Sequence, residues 1–465
     1  MAAPTTMQIS GFRGDVIGPD HHDYDAARAI SNGAVDRRPR LIARCSGTAD
    51  VAAAVRFARD RDLEIAVRGG GHNVAGTAVC DYGIVIDLSA MRAVSVDPVE
   101  RTARVQGGAL WRDVDHETQA HGLATTGGIV SHTGVGGLSL GGGIGWLMRK
   151  HGLTVDNLVQ AEVVTAEGDI IRASASDHPD LFWALRGGGG NFGIVTSFRF
   201  ALHPVGPTVT AGPVFWAAED TTDVLRFYRE FATDAPDELG TIIRLGTIPP
   251  LPGVEEDLHF RPAIAVASCY AGAVEDGERA VRALRQFGIP LVDLVGPTRY
   301  VDHQSGLDDT VPHGWHYYWK ATNLTRLSDE VIDIVAAHAY GASSPRSYAA
   351  IFHMGGAVAR APRGATAYPE RDVEHNMSID AVWLPEQDDT VRASETAWAR
   401  AFLDALQPHR AGVYVNFLDS DDDTSRVREA YGEANYRRLV EVKAKYDPEN
   451  VFHNNKNIQP GTPAQ

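Results

Sequence analysis

The six residues Arg68-Gly-Gly-Gly-His72-Asn73 follow a short apolar run, Glu64-Ile-Ala-Val-Arg68, that reads as a β-strand. Upstream, Leu41-Ile-Ala-Arg-Cys45 has the same character. Between the two, Thr48 to Arg61 places Val51, Ala54, Val55 and Ala58 at helical spacing. Strand, helix and strand make one βαβ unit, with the glycine loop where its second strand ends. Consecutive glycines reach positive φ and let backbone N–H groups converge on an anion, and Arg68 adds a fixed positive charge. The loop is therefore a candidate phosphate cradle. A tight turn carrying a solvent-facing histidine is the alternative.

Two further glycine-rich stretches follow, Thr133-Gly-Val-Gly-Gly137 with Gly141-Gly-Gly-Ile-Gly145, and Arg186-Gly-Gly-Gly-Gly190-Asn191. Glycine makes up 47 of 465 residues, about one in ten against a usual ~7 %. Three such loops before residue 194 point to an extended, phosphate-containing ligand. Gly188 to Gly193 matches G-x-G-x-x-G literally, but it follows a helix-like segment, Pro179 to Leu185, and precedes a strand-like one, Ile194 to Phe200. A Rossmann dinucleotide turn needs the opposite order. Two more patterns mislead. His116 and His121 are five residues apart, about 140° around a helix, so they cannot share one zinc. Asp419-Ser-Asp421-Asp-Asp423 starts like a calcium loop, yet Thr424 and Ala430 stand where glycine and glutamate are needed, so a polar loop is expected.

Ile84 to Leu88 and Thr102 to Gln106 read as further strands, Ala109 to His121 as a helix, and Leu158 to Ala173 as a hairpin turning at Glu167-Gly168. The glycine clusters stop near Leu202 to Pro207. Thr208 to Leu403 then alternates strand-like runs, such as Ala263 to Cys269 and Trp315 to Lys320, with amphipathic helices, which suggests a second α+β domain. Asp422 to Tyr446 reads as one long charged helix with an apolar stripe of Val427, Tyr431, Tyr436, Leu439 and Val442, and an Asn-rich end from Asn450 to Asn457 follows it. A net charge of −17 argues against nucleic-acid and anionic-membrane partners. No run approaches the ~18 apolar residues of a membrane span, and Met1 to Pro19 lacks a leader pattern, so a soluble, cytoplasmic protein is expected. Cys45, Cys80 and Cys269 are too scattered for a disulfide framework or a cysteine metal site, and no metal is expected.

Taken together, the loop at 68–73, the run from Thr133 to Gly145, the run from Arg186 to Gly193 and Tyr446-Asp-Pro-Glu-Asn-Val-Phe452 resemble, in that order, the berberine bridge enzyme-like flavoproteins. These belong to the vanillyl alcohol oxidase type with a PCMH-type FAD-binding domain, and the resemblance spans nearly the whole chain. It implies an α+β fold: an FAD-binding domain in two parts, 1–206 and 418–465, and a substrate domain, 207–417, with a large antiparallel sheet backed by helices. By position, His72 resembles the histidine bonded covalently to the flavin 8α-methyl carbon. The family's second, cysteinyl link falls on Val130, which cannot form a bond, so a single link is expected; Cys80 lies outside the motif. The resemblance also assigns cofactor contacts to Arg68, Gly69, Gly70, Gly71, Asn73, Gly76, Gly128, Val130, Thr133, Gly134, Gly136, Gly137, Gly143, Gly145, Gly193, Ile194, Val195 and Asn455.

The implied chemistry is hydride transfer from a carbon bearing OH or NH in a small secondary-metabolite or alkaloid-like molecule to FAD, with O2 as acceptor giving H2O2. A carbohydrate oxidase and a flavin-binding protein without turnover are the alternatives. Tyr414 and Asn416, in Val413-Tyr-Val-Asn-Phe417, resemble a family strand lining the flavin face. A tyrosine there could serve as base if its pKa were lowered, or merely satisfy a hydrogen bond. Alternation along Tyr317-Tyr-Trp-Lys320 puts Tyr318 and Lys320 on one face, making Lys320 the second candidate, with His353 and Trp383 as further ones. Val130 and Thr133 lie near the expected approach of O2.

Overall fold

In a computed structural model, residues 8–369 and 371–461 are described; of the stretch read for a leader, residues 1–7 lie outside them. Strands Leu41–Arg44, Ile84–Asp87 and Ile65–Arg68 run parallel, with Asp15–Ile17 antiparallel at one edge. The expected βαβ unit is present with its helix, Thr48–Arg59, but Ile84–Asp87 is inserted between its two strands. Ile84, Val85 and Ile86 are fully buried, as the continuous apolar run of a central parallel strand requires. Val51, Ala54, Val55 and Ala58 of the helix pack on this sheet with no exposed surface.

A second sheet of five antiparallel strands has the order Val94–Asp97, Thr102–Gln106, Ile194–Ala201, Leu158–Val164, Ile170–Ser174. The third glycine loop therefore leads from helix Pro179–Leu185 into the central strand of this sheet, which settles the Rossmann question by order alone.

From residue 208 the chain builds an eight-stranded sheet whose pairings are all antiparallel. Its strands Leu239–Thr247, Tyr348–His353, His375–Trp383 and His316–Leu324 lie side by side in that order. One face, carrying Ile243, Ile351, Met377, Ile379 and Tyr318, is covered by helices Thr221–Thr233, Asp329–His338 and Asp389–Ala405. The opposite face, carrying Tyr317, Trp319, Tyr348, Phe352 and Asp380, looks toward the glycine loops. This is the α+β arrangement that the resemblance implies.

Two elements differ from expectation. The single helix expected from Asp422 to Tyr446 is two, Thr424–Tyr431 and Glu433–Tyr446, because Gly432 adopts φ of +66° and breaks the helical path between them. The strand expected at Val413 to Phe417 is an extended Tyr414 followed by one 3₁₀ turn, Val415–Phe417, closed by Phe417 N donating to Tyr414 O. Both C-terminal helices pack in the N-terminal core, Tyr431, Leu439 and Val442 against Leu181 and Phe192. Lys443, fully buried, pairs with Asp447 at 2.6 Å and donates to Asn191 O and Phe452 O, so the tail is tied directly to the third glycine loop. No helix among the described residues is long and apolar enough to cross a membrane.

Candidate cofactor and active site

A cavity lies between the glycine loops and the face of the large sheet opposite its helices. Its cradle side is formed by Gly69, Gly70, Gly71, His72 and Asn73, by Gly128, Val130, Thr133, Gly134, Gly136 and Gly137, and by Gly193, Ile194 and Val195. Asn455 from the tail and Tyr414 with Asn416 complete the predicted residues that line it. The first two loops meet backbone to backbone: a Cβ on Gly70 would stand 2.5 Å from Gly134 N, and one on Gly134 2.3 Å from Gly70 N. Only glycine permits that crossing. At Gly137 and Gly190 a Cβ would meet nothing within 4 Å, so the space before them is open.

Five predicted residues lie elsewhere. Arg68 is spent inside the fold, its guanidinium bonded to Asp87 at 2.5 Å and to Ala27 O, and cannot serve as a free charge for a phosphate. Burial alone would raise the Asp87 pKa; Arg68 beside it reverses this and holds the carboxyl below its usual range. Gly76 packs against Val35, and Gly145 against Gly127 O. Gly143 has φ of +85° and acts through its N–H, which donates to the Tyr414 hydroxyl at 2.9 Å. Lys320 points to the helix-covered side of its strand, where Nζ meets Asp421 at 2.6 Å and Asp422 at 3.1 Å. The alternation that paired Lys320 with Tyr318 holds, but their shared face is turned from the cavity. The acidic loop read as a false calcium site is what receives them: Tyr318 also donates to Asp421.

His72 bonds through Nε2 to His132 Nδ1 at 2.6 Å, and His313 stands beside both rings. Burial pushes the His72 pKa down to about 3, and the two neighbouring histidines add to the effect, so its ring is neutral. These three histidines, and His21, His22 and Asp23 on the surface, are the groups among the described residues close enough to share a metal.

Tyr414 is held by two donors, Gly143 N and Asn416 Nδ2 at 2.7 Å. Burial nevertheless pushes its pKa up to about 12, against those hydrogen bonds. His353 is buried away from the cavity on Arg149, and Trp383 belongs to the helix-covered core.

The acid in the cavity is Asp380, which sequence reasoning missed. It is buried on strand His375–Trp383 with Ser378 Oγ donating to Oδ2 at 2.9 Å. Burial pushes its pKa up to about 7, against hydrogen bonds from Ser378 and Tyr348 and the charge of Arg244. A signal was present: Ser378 and Asp380, two residues apart, share one face of the strand, while Met377, Ile379 and Ala381 between and beside them take the other. On the tail, Lys456 Nζ donates to Asp419 O, and burial lowers its pKa to about 8.

The cavity walls supply polar atoms that the protein does not use. Trp319 Nε1 and Asn455 Oδ1, from lining residues, are buried without a hydrogen-bond partner among the described residues. Together with the open space over Gly137 and Gly190, they fit the polar edges of a flavin nucleotide lying against the loops. A glycine cradle on one domain faces an aromatic wall with a buried acid on the other, the arrangement of an enzyme that works through a nucleotide cofactor.

Comparison with known proteins agrees. Residues 39–174 match the FAD binding domain family, and residues 413–459 match the berberine and berberine-like family. (R)-6-hydroxynicotine oxidase of Paenarthrobacter nicotinovorans is 33 % identical over 99 % of this chain and 98 % of its own length. Xylooligosaccharide oxidase of Thermothelomyces thermophilus is 30 % identical over 91 % of this chain and 87 % of its own. The crystal structure of 6-hydroxy-D-nicotine oxidase from Arthrobacter nicotinovorans superposes with a TM-score of 0.86 at 30 % identity, covering 97 % of this chain and 98 % of that one. The chain belongs to the berberine bridge enzyme-like family of FAD-linked oxidoreductases.

Proposed function

We propose that the protein oxidises a small, largely apolar alcohol or amine at a C–OH or C–NH carbon, with FAD bound covalently through His72 alone and O2 receiving the electrons as H2O2. The observation that carries this reading is a buried carboxyl, Asp380, whose pKa near neutrality suits a proton acceptor, set in a wall of Tyr317, Trp319, Tyr348 and Phe352 opposite the glycine loops. FAD, when bound, supplies the two-electron acceptor for a hydride. Ionised Asp380 takes the proton from the substrate hydroxyl or amine, which leaves the adjacent carbon richer in electron density. Ser378 and Tyr348 hold the carboxyl in place, and the aromatic side chains exclude water around it. Tyr414 oxygen accepts from Gly143 and Asn416, so its remaining function toward the cavity is to donate its own proton. It is an orienting donor rather than the base.

Walls of this kind suit an aromatic or aliphatic ring with one polar handle better than a polyhydroxylated sugar, which needs many hydrogen-bonding partners. At the position where a second link would form, Val130 has no reactive atom.

Anaerobic mixing with a panel of alcohols, amines and oligosaccharides tests the reading. Bleaching of the flavin by an aromatic alcohol or amine, with one O2 consumed per turnover in air, is expected; bleaching by oligosaccharides alone would overturn the substrate class. Acid precipitation tests the attachment: a yellow pellet from the wild type and a colourless one from His72→Ala are expected.

A further inference from the structure

The covalent bond proposed above requires His72 to be a nucleophile, and the structure surrounds it with two histidines that the oxidation chemistry does not use. His72 and His132 rings lie 4.7 Å apart with Nε2 and Nδ1 at 2.6 Å, and the His313 ring is 5.3 Å from the first and 5.0 Å from the second. A hydrogen bond between two neutral imidazoles needs one N–H and one lone pair. Either ring can donate. If His132 donates, His72 carries its proton on Nδ1 and has no lone pair left for the flavin. If His72 donates, its Nε2 is committed to His132, and Nδ1, which has no hydrogen-bond partner among the described residues, keeps its lone pair. Only this second arrangement leaves a reactive nitrogen on a residue that lines the cavity.

We propose that His132 is a positioning residue for flavin attachment: it fixes the His72 tautomer with Nδ1 free and accepts the Nε2 proton as Nδ1 bonds to the flavin 8α carbon. The proposal rests on the covalent reading of His72. In the balanced step, one bond forms, Nδ1–C8α, and two break, C8α–H and Nε2–H. Two electrons pass into the flavin ring and then to O2, and with the two released protons they give H2O2. Without a proton acceptor, alkylated His72 would be left as a cation in surroundings that already suppress its protonation. The three histidines grade outward from His72 and His132, both half-buried, to His313, which is exposed, and so provide a route for the proton to solvent. The lowered His72 pKa has a corresponding effect before the step, since burial keeps the ring neutral and its lone pair available.

The test follows covalent incorporation of FAD into the full-length protein over time, read as acid-stable flavin in the precipitate, for the wild type, His132→Ala and His132→Gln. Non-covalent binding is followed separately by the native flavin spectrum. We expect both variants to bind FAD but to incorporate it at least about 10-fold more slowly, the lower edge of a typical acid–base contribution. Glutamine can accept the Nε2–H bond but not the proton, so His132→Gln should remain slow, and added imidazole should restore incorporation in His132→Ala, which a purely structural defect would not allow. Incorporation at the wild-type rate in either variant would overturn the role of His132. Loss of wild-type incorporation on chelation with EDTA would also overturn it, by making the three histidines a metal site. A wild-type protein with no acid-stable flavin would instead remove the covalent reading itself, an outcome distinct from slow variants beside a fully flavinylated wild type.

Discussion

Tyr348 and Asp380 are direct cross-strand partners on the cavity face of the large sheet, and the tyrosine hydroxyl bonds to the carboxyl that burial has pushed up to about 7. A base must be ionised to act. Flavin reduction by substrate should therefore rise about tenfold per pH unit below that value and level off above it. Asp380→Asn keeps the size and an acceptor atom but cannot take a proton. It should slow anaerobic flavin reduction by roughly 10²- to 10⁴-fold and flatten the pH profile between 5 and 9. A variant that keeps both the rate and the inflection would move the base elsewhere.

Tyr414→Phe separates the two candidate proton-handling groups. Loss of the hydroxyl leaves Gly143 N without its acceptor in a buried place and Asn416 Nδ2 with only its bond to Leu138 O, a cost of about 1 to 3 kcal/mol that denaturant unfolding would register. Reduction should slow as the orienting donor disappears, while the inflection set by Asp380 stays where it was. If the inflection vanishes with the hydroxyl, Tyr414 is the base and Asp380 is not.

What was legible in the sequence was local. The three glycine loops announce themselves because close backbone approach, as between Gly70 and Gly134, admits no other residue, and alternation correctly joined Tyr318 to Lys320. What alternation could not supply was direction. Both faces of the large sheet are covered, one by helices and one by the opposing domain, so an apolar or polar stripe does not say which cover it meets. The partners that settle the matter lie far along the chain: Asp421 stands 101 residues after Lys320, and Asp87 stands 19 after Arg68. A basic residue beside a glycine loop looks like a phosphate ligand until its carboxylate is found. Gly432 was overlooked for the opposite reason, since a single glycine hardly disturbs a helical stripe on paper yet its left-handed φ ends the helix.

Lys320 should behave as a structural cation. Its side chain is 6 % exposed and sits between Asp421 and Asp422. Lys320→Met leaves two neighbouring carboxylates with less compensation, and breaking a buried pair typically costs about 3 to 5 kcal/mol. Arg400 still reaches Asp421 at 2.7 Å and Arg426 reaches Asp422 at 3.5 Å, which places the expected loss at the lower end of that range. Per molecule of folded, flavin-loaded protein, the rate of flavin reduction should be unchanged. A large fall in that rate with intact stability would restore Lys320 to the chemistry.

Asp115 offers a measurement of stability that leaves the reaction aside. It lies buried on helix Trp111–Gln119, where Gln304 Nε2 donates to its Oδ2 at 3.1 Å and also to Gly128 O at 3.2 Å, tying the large-sheet domain to the cradle. Burial pushes its pKa up to about 7 from a reference value of 3.8, against the hydrogen bond from Gln304. Between those values the folded protein holds a proton that the unfolded chain has lost, so this group makes stability fall as pH rises from about 4 to about 7 and adds no further change above that. Asp115→Asn retains an acceptor for Gln304 and carries no charge at any pH. The variant should therefore gain on the wild type as pH increases, by roughly 1 to 3 kcal/mol between pH 5 and pH 8 in denaturant unfolding. Asp380 has the same sign of dependence but is present in both proteins, so it cancels in the difference. Equal gaps at the two pH values would mean that the Asp115 carboxyl ionises in the fold as it does in the open chain.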